Sequence, residues 1–420
     1  MKKLPEFVNI TTGKLDANAA EEDGIYPYFT CGETPAKINT YAFDTKAVLI
    51  AGNNAQGNFH VSKYNGKFNA YQRTYVLTSK NDSNLDYIYY SMKLALAQLK
   101  RRSQGSQTKF LTMPILNDID INCSLAQQKI AAVLSSLDDK IALNNRINAK
   151  LEQMAKRLYD YWFVQFDFPV SCHSELVSES HSEEMLNQVQ HDECAKPYKS
   201  TGGKMVWNEE LKREIPAGWE VKKISEILDC EIPGDWGEEN IKGKHDYKVN
   251  CIRGCDMVDM TDLPTRYILQ ANAKKLLQAD DFVIEISGGS PSQSTGRIVQ
   301  VTEEIINRFN NKVICSNFCH GVRVANKNYI SYFYQLWNMF NDNGVFFNFE
   351  GKTSGLKNFQ FDTFIDQKWY FPSEDLAKRF NETAMKFRKE IDKNESENKR
   401  LSQLRDKLLP LLMNGQVVVK

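Results

Sequence analysis

Gln127 to Pro169 reads QQKIAAVLSSLDDKIALNNRINAKLEQMAKRLYDYWFVQFDFP. Ile130, Leu137, Asn144, Leu151 and Leu158 recur in it at every seventh residue. A seven-residue apolar repeat marks a helix that buries one seam against another helix, so the stretch predicts a long coiled-coil helix with these residues at a. Val133, Ile147, Met154 and Tyr161 each follow a member of the series by three and are assigned to d. A polar residue such as Asn144 on the seam costs stability and is usually kept because it fixes register or partner.

The pattern returns near the end of the chain. Phe380, Phe387, Asn394, Leu401 and Leu408 form a second heptad series, with Leu404 and Leu411 at d. The two series superpose without gaps: Ile141 falls on Ile391, Asn144 on Asn394, Asn148 on Asn398, Leu151 on Leu401 and Leu158 on Leu408. Each predicted helix follows a strand-rich segment of mixed character. The first carries apolar runs at Ala47–Ala51 and Thr74–Leu77, the second at Phe282–Ile286, Lys312–Cys315 and His320–Val324, and Gly/Asn turns separate them. A shorter helix is expected late in each segment, at Leu85–Lys100 and Tyr329–Phe340. The chain is thus read as α+β and duplicated, with mixed domains at 1–123 and 219–372, each followed by a long helix, at 124–164 and 373–413. Residues 165–218 form a linker with an aperiodic, Ser/Glu/Gln-rich probable insertion at 171–193, and 414–420 a tail.

Composition narrows the classes. An apolar fraction of 42% and a charged fraction of 25% are those of a globular chain. Lys plus Arg and Asp plus Glu each number 53, so no whole-chain charge drives binding to nucleic acid or lipid, and any such contact must be local. No stretch approaches the ~18 apolar residues of a membrane span, and no apolar leader follows Met1. Nine scattered cysteines without a leader predict reduced thiols and a cytoplasmic protein.

At Gln127–Pro169, and again at ENKRLSQLRDKLLPLLMNGQV (397–417), the sequence resembles the conserved helical regions of type I restriction-modification specificity subunits. GGKMVWNEELKREIPAGWEVKKI (202–224) resembles the lead-in to that family's second recognition domain. The resemblance implies two target-recognition domains on a pseudo-twofold axis, each reading half of a split site in double-stranded DNA. Two antiparallel helices would set the half-site spacing. Two methyltransferase subunits and a motor/nuclease subunit would be partners, holding S-adenosylmethionine, ATP and Mg2+, while this chain would bind no cofactor itself. The stretch 171–193 departs from the family and is similar to peptides translated from a mobile palindromic repeat, so it is expected to be dispensable.

DNA contacts are expected in loops that combine cations, amides and hydroxyls, since Arg and Lys neutralise phosphates or fork onto guanine and Gln or Asn pairs with adenine. The first domain offers Arg101, Arg102, Gln104, Ser106, Gln107 and Lys109, then Asn53, Asn54 and Gln56, then Arg73. The second offers Ser292, Gln293 and Arg297, and a counterpart loop with Lys352, Thr353, Ser354 and Lys357. Taken singly, such loops are more often solvated surface; one set per half is what a reader of a split site needs.

Other chemistries are weaker. Asp342, Glu350 and Lys352 imitate the carboxylate spacing of metal nucleases, but the pattern is common. Gly351-Lys352-Thr353 is half a P-loop, with Phe346 where the first glycine belongs. No Asn/Asp-Pro-Pro-aromatic methyltransferase motif occurs. Cys251, Cys255, Cys315 and Cys319 form two C-x3-C pairs that could hold zinc, though buried free thiols are commoner. No catalytic residue and no metal site are therefore expected, and a single-chain nuclease-methyltransferase lacks its motifs. The rival reading is an interaction scaffold, which the zero net charge suits and the duplicated loops do not.

Overall fold

The computed structural model describes residues 1–420 except 56, 104–107, 124, 125, 171–195, 259, 261, 289–292, 354, 355 and 420, and gives the backbone alone at 352, 353 and 356. It divides into two compact units, Met1–Leu143 with Glu397–Lys420, and Asn144–Ser396. The division falls inside both long helices, not at their ends.

In the first unit six strands pair in the order Val8–Thr12, Thr74–Ser79, Phe43–Ala51, Val61–Ala70, Tyr26–Phe29 and Ala36–Ile38. All neighbours are antiparallel except Val61–Ala70 with Tyr26–Phe29. The helix Leu85–Arg102 starts where the Asn84 side chain accepts the Tyr87 N–H, a standard N-cap. It packs Tyr87, Ile88 and Met92 against Val48, Ile50 and Leu77 of the sheet. Lys100, Arg101 and Arg102 fall in its last turn, where cations complement the helix dipole.

The second unit repeats part of this plan. Four antiparallel strands run Leu228–Pro233, Cys319–Val324, Asp281–Glu285 and Ile298–Val301. The helix Ile330–Asp342 packs Phe333 and Trp337 into a core with Phe282 and Phe346. A three-stranded sheet of Thr265–Leu269, His245–Ile252 and Lys312–Cys315 is added. The two segments also begin alike. Lys3 N donates to Glu6 Oε1 and Lys3 Nζ to Asp118; Lys223 N donates to Glu226 Oε1 and Lys223 Nζ to Asp366.

The long helices span Gln127–Tyr159 (33 residues), continued by a π turn at Asp160–Val164, and Glu374–Met413 (40 residues). Within the first unit Asp138 pairs with Arg405 at 2.7 Å and Lys140 with Glu397 at 3.2 Å. Within the second, Asn394 Nδ2 donates to Asn148 Oδ1 at 2.8 Å and Phe380 meets Trp162 at 5.8 Å. One number falls as the other rises, so the helices are antiparallel in each unit.

The heptad series is on the buried face; of its expected d companions Val133, Ile147 and Leu411 are half-buried, and the other three are corrected. Ile130, Asn144, Phe380 and Asn394 are buried, and Leu137, Leu151, Leu158, Phe387, Leu401 and Leu408 half-buried. Met154, Tyr161 and Leu404 are exposed, whereas Leu134, Asn148, Ala155, Trp162, Ala384, Ile391 and Leu412 are buried. The companions thus lie four residues on rather than three. At ~100° per residue, i+4 is ~40° from the series on one side and i+3 ~60° on the other, and the facing helix lies on the i+4 side.

The insertion expected at 171–193 lies outside the described residues, but its flanks are fixed. Pro169 pairs with Pro197 and Val170 with Lys196, antiparallel. Deleting 171–193 and changing Cys194-Ala195 to Asn-Gly supplies the two-residue turn such a pair favours. The deletion should leave the melting temperature within a few degrees of the parent. A fall of about 10 °C, roughly 3 kcal/mol or more for a unit of this size, would show that the segment packs on the body.

Candidate nucleic-acid interface

The loops singled out in the first segment converge. Strand Asn53–Asn54 pairs antiparallel with Lys109–Phe110, Asn53 opposite Phe110 and Asn54 opposite Lys109. The turn between them and the next strand is tight: Asn54 Oδ1 accepts the Asn58 N–H, and Gly57 has φ +74°. A Cβ built on Gly57 would lie 3.3 Å from the stems of both Lys100 and Lys109, so those two side chains flank the turn. Lys100 Nζ donates to Asn58 Oδ1 at 2.7 Å. The Arg73 guanidinium lies over the Phe110 ring at 5.1 Å. Among the described residues Arg73, Lys100, Arg101 and Lys109 have no carboxylate within ion-pair distance, so the surface is locally basic although the chain is neutral. Arg102 is different: it binds Asp118 at 2.7 Å, and Asp118 also holds Lys3.

The second segment has the same strand pair. Ser287–Gly288 pairs with Leu356–Phe359, Ser287 opposite Asn358 and Gly288 opposite Lys357. Lys357 therefore takes the position of Lys109. Its charge does not stay free. Lys357 Nζ lies 2.9 Å from Glu350 and 5.0 Å from the centre of the Phe347 ring. Burial pushes the Glu350 carboxyl up, but Lys357 and the Thr295 N–H more than offset it and hold it below its ordinary value.

Arg297, expected at the surface as a DNA contact, is corrected to a structural role. Its Nε and Nη2 each donate to a Glu285 oxygen at 2.8 Å, and Nη2 also to Gly254 O. The fork is satisfied inside the unit, as a buried carboxylate requires. Gln293 is exposed, and the strand partner at Lys352 is Lys357. Gln56, Gln104, Ser106, Gln107, Ser292 and Ser354, and the side chains of Lys352 and Thr353, lie outside the described residues. Sequence reasoning missed Phe110, Ser287 and Phe318: the first two lie just outside the polar runs that were singled out, and Phe318 is an apolar residue between strands.

Residues 1–153 match the family described as the type I restriction modification DNA specificity domain. Over 228 residues the chain is 34% identical to the type I restriction enzyme EcoDI specificity subunit of Escherichia coli, covering 54% of this chain and 48% of that one. The chain is a relative of the type I specificity subunits. It is also 25% identical over 349 residues to the MjaIX specificity subunit of Methanocaldococcus jannaschii, covering 80% of this chain and 69% of the other. The chain therefore spans about half the length of the first relative and about two thirds of the second. Its fold is shared with the type I restriction-modification S subunit from M. genitalium, with a TM-score of 0.56 at 14% identity over 97% of this chain and 94% of that one.

In this relative of the specificity subunits the motifs of other chemistries come apart. Asp342 pairs with Lys156 at 2.5 Å and Glu350 with Lys357, so the two carboxylates are engaged separately. Among the described residues no group of three or more His, Cys, Asp or Glu could hold a metal. Cys251, Cys315 and Cys319 are buried and Cys255 exposed. Burial pushes the Cys251 thiol up to about 12 and Cys319 to about 11, which favours the neutral thiol over a zinc-binding thiolate. Native iodoacetamide labelling at pH 8 should therefore modify Cys255 while sparing Cys251, Cys315 and Cys319, and a chelator should leave the melting temperature unchanged. Protection of Cys255 that a chelator abolishes would point back to zinc. Among the described residues no helix is long and apolar enough to cross a membrane.

Proposed function

We propose that this chain is the DNA-reading subunit of a type I restriction-modification complex, without catalytic residues of its own. Each segment before a long helix acts as a target-recognition domain, 1–123 for one half-site and 219–372 for the other. The two long helices form the duplicated coiled-coil spacer on which two methyltransferase subunits dock. Adenine methylation, with S-adenosylmethionine, and cleavage, with ATP and Mg2+, belong to the methyltransferase and motor/nuclease partners in the cytoplasm. The observation that carries the reading is the recurrence of one strand pair in both segments, Asn53–Asn54 with Lys109–Phe110 and Ser287–Gly288 with Leu356–Phe359, each at the foot of the expected contact loops. The specificity-domain match over residues 1–153 supports it. Methylome sequencing of cells carrying the chain and its cognate methyltransferase should show a split, adenine-methylated motif. An uninterrupted motif, or none attributable to the pair, would refute the assignment.

At residue level, Arg101 is exposed at the end of its helix and acts as a phosphate contact. Arg101→Ala should flatten the dependence of log affinity on log salt by about one unit across all sequences. Arg102→Ala should do less, because its guanidinium is held by Asp118 in an exposed pair worth at most ~1 kcal/mol. An unchanged slope in Arg101→Ala returns that side chain to ordinary solvated surface.

A further inference from the structure

Backbone hydrogen bonds put two unlike side chains in one place. In the first unit Gly52 N donates to Arg73 O, and Leu111 N to Gly52 O, both at 2.8 Å. In the second unit Ile286 N donates to Phe318 O at 2.9 Å, and Phe359 N to Ile286 O at 2.8 Å. Gly52 and Ile286 each immediately precede the strand of the recurring pair, so Phe318 occupies the position of Arg73. Both residues are exposed. Phe318 is 44% and Trp236 37% exposed, and their rings meet edge to face at 6.0 Å.

These rings are held in place. Trp236 is carried on a turn in which Gly237, at φ +62°, donates its N–H to Asp235 Oδ1. Asp235 Oδ2 accepts from Asn272 and Lys275, and Asp235 N donates to Cys315 O. A Cβ on Gly234 would lie 1.9 Å from Ser316 O, so only glycine lets the turn approach the strand so closely. Arg266 lies over the Trp236 ring at 4.8 Å and pairs with Glu239 at 3.1 Å, and elsewhere in the segment Lys357 is engaged by Glu350, Arg297 by Glu285 and Arg253 by Asp256.

We propose that Phe318, backed by Trp236, is a specificity-determining residue that packs its ring on base edges of double-stranded DNA, in the place where the first unit presents Arg73. This rests on the DNA-reading function proposed above. An apolar ring discriminates by contact with thymine methyl groups or by wedging at a base step, and it releases no counterion. The two half-sites are then bound by different chemistry, the first through cations that no carboxylate among the described residues neutralises and the second through an aromatic face.

The test uses the full chain co-expressed with its methyltransferase, a randomised duplex pool, and then the selected duplex at several salt concentrations. Phe318→Ala should weaken binding roughly 5- to 100-fold with an unchanged salt slope, and relax base preference in one half-site only. Phe318→Arg should steepen the slope by about one unit, and Arg73→Ala should flatten it by about one. Phe318→Leu keeps the apolar volume, so an unfolded alanine variant does not block the test; the leucine form should lose preference at the same positions. Folded variants with unchanged affinity and base preference overturn the inference, as does loss of methyltransferase association with base preference intact. A parent complex that selects no duplex at all refutes the DNA-reading function instead.

Discussion

Arg297→Ala should destabilise the second unit by about 3–5 kcal/mol, the cost of leaving a buried charge without its partner. The Glu285 side chain is 6% exposed and takes both forks of Arg297 at 2.8 Å. The pocket is cut for that carboxylate: a Cβ on Gly254 or Gly288 would lie 2.6 or 2.9 Å from Glu285 Oε1. Arg297→Lys should recover only part of the loss, since an ammonium cannot make two parallel bonds to one carboxylate. Removing both charges, as Arg297→Met with Glu285→Leu, should recover more than either single change, because no charge is then stranded. Urea unfolding followed by Trp fluorescence reads the effect. A stability loss below about 1 kcal/mol for Arg297→Ala, with weakened DNA binding, would restore Arg297 to the surface role that its loop suggested.

Why the sequence misplaced Arg297 is a matter of what each signal encodes. The helices were legible because a seven-residue period is a one-dimensional trace of a packed seam, and Ile130, Asn144, Phe380 and Asn394 are all on it. The side of the seam was not legible: Val133 and Leu134 are both apolar, and only the facing helix decides that Leu134 is the buried one. Strands such as Asp281–Glu285, buried at every residue, are read from their apolar run, but nothing in that run says where the carboxylate of Glu285 finds its partner. Its partner Arg297 is twelve residues away, and no local pattern marks such a pairing. The loop of Lys357 is matched with that of Lys109 from its place in the duplicated chain, but nothing local marks Glu350 as the carboxylate that pairs with Lys357. Phe318 carried no signal at all; its equivalence to Arg73 exists only in the backbone hydrogen bonds.

Exchanging residues 1–123 for the corresponding domain of a relative should replace one half-site completely and leave the other unchanged. Each mismatched base pair costs about 1–3 kcal/mol, so a half-site of about three changed bases amounts to roughly 3–9 kcal/mol against the old target. The exchange is demanding because the cut passes through one continuous core. Leu4, Tyr90, Ile115, Leu116 and Ile121 share it with Ile130 and Leu134 of the first long helix and Leu409, Leu412 and Met413 of the second. Polar ties cross the same cut. Tyr90 Oη donates to Asp138 Oδ2 at 2.7 Å, Lys63 Nζ to Ser135 Oγ at 3.3 Å, and Asn122 Nδ2 to Met413 O at 2.8 Å. Asp138 would keep Arg405 at 2.7 Å if Tyr90 were lost, so a phenylalanine there is tolerable. Met413 O would lose its side-chain donor if the residue at 122 were apolar, costing about 1–3 kcal/mol if the carbonyl stays buried. A donor that keeps an aromatic at 90 and an amide at 122 should therefore fold, and methylome sequencing should return a hybrid motif with one new half and one old. If both halves change together, or the old motif persists in a folded and assembled hybrid, base reading is not divided between the two segments.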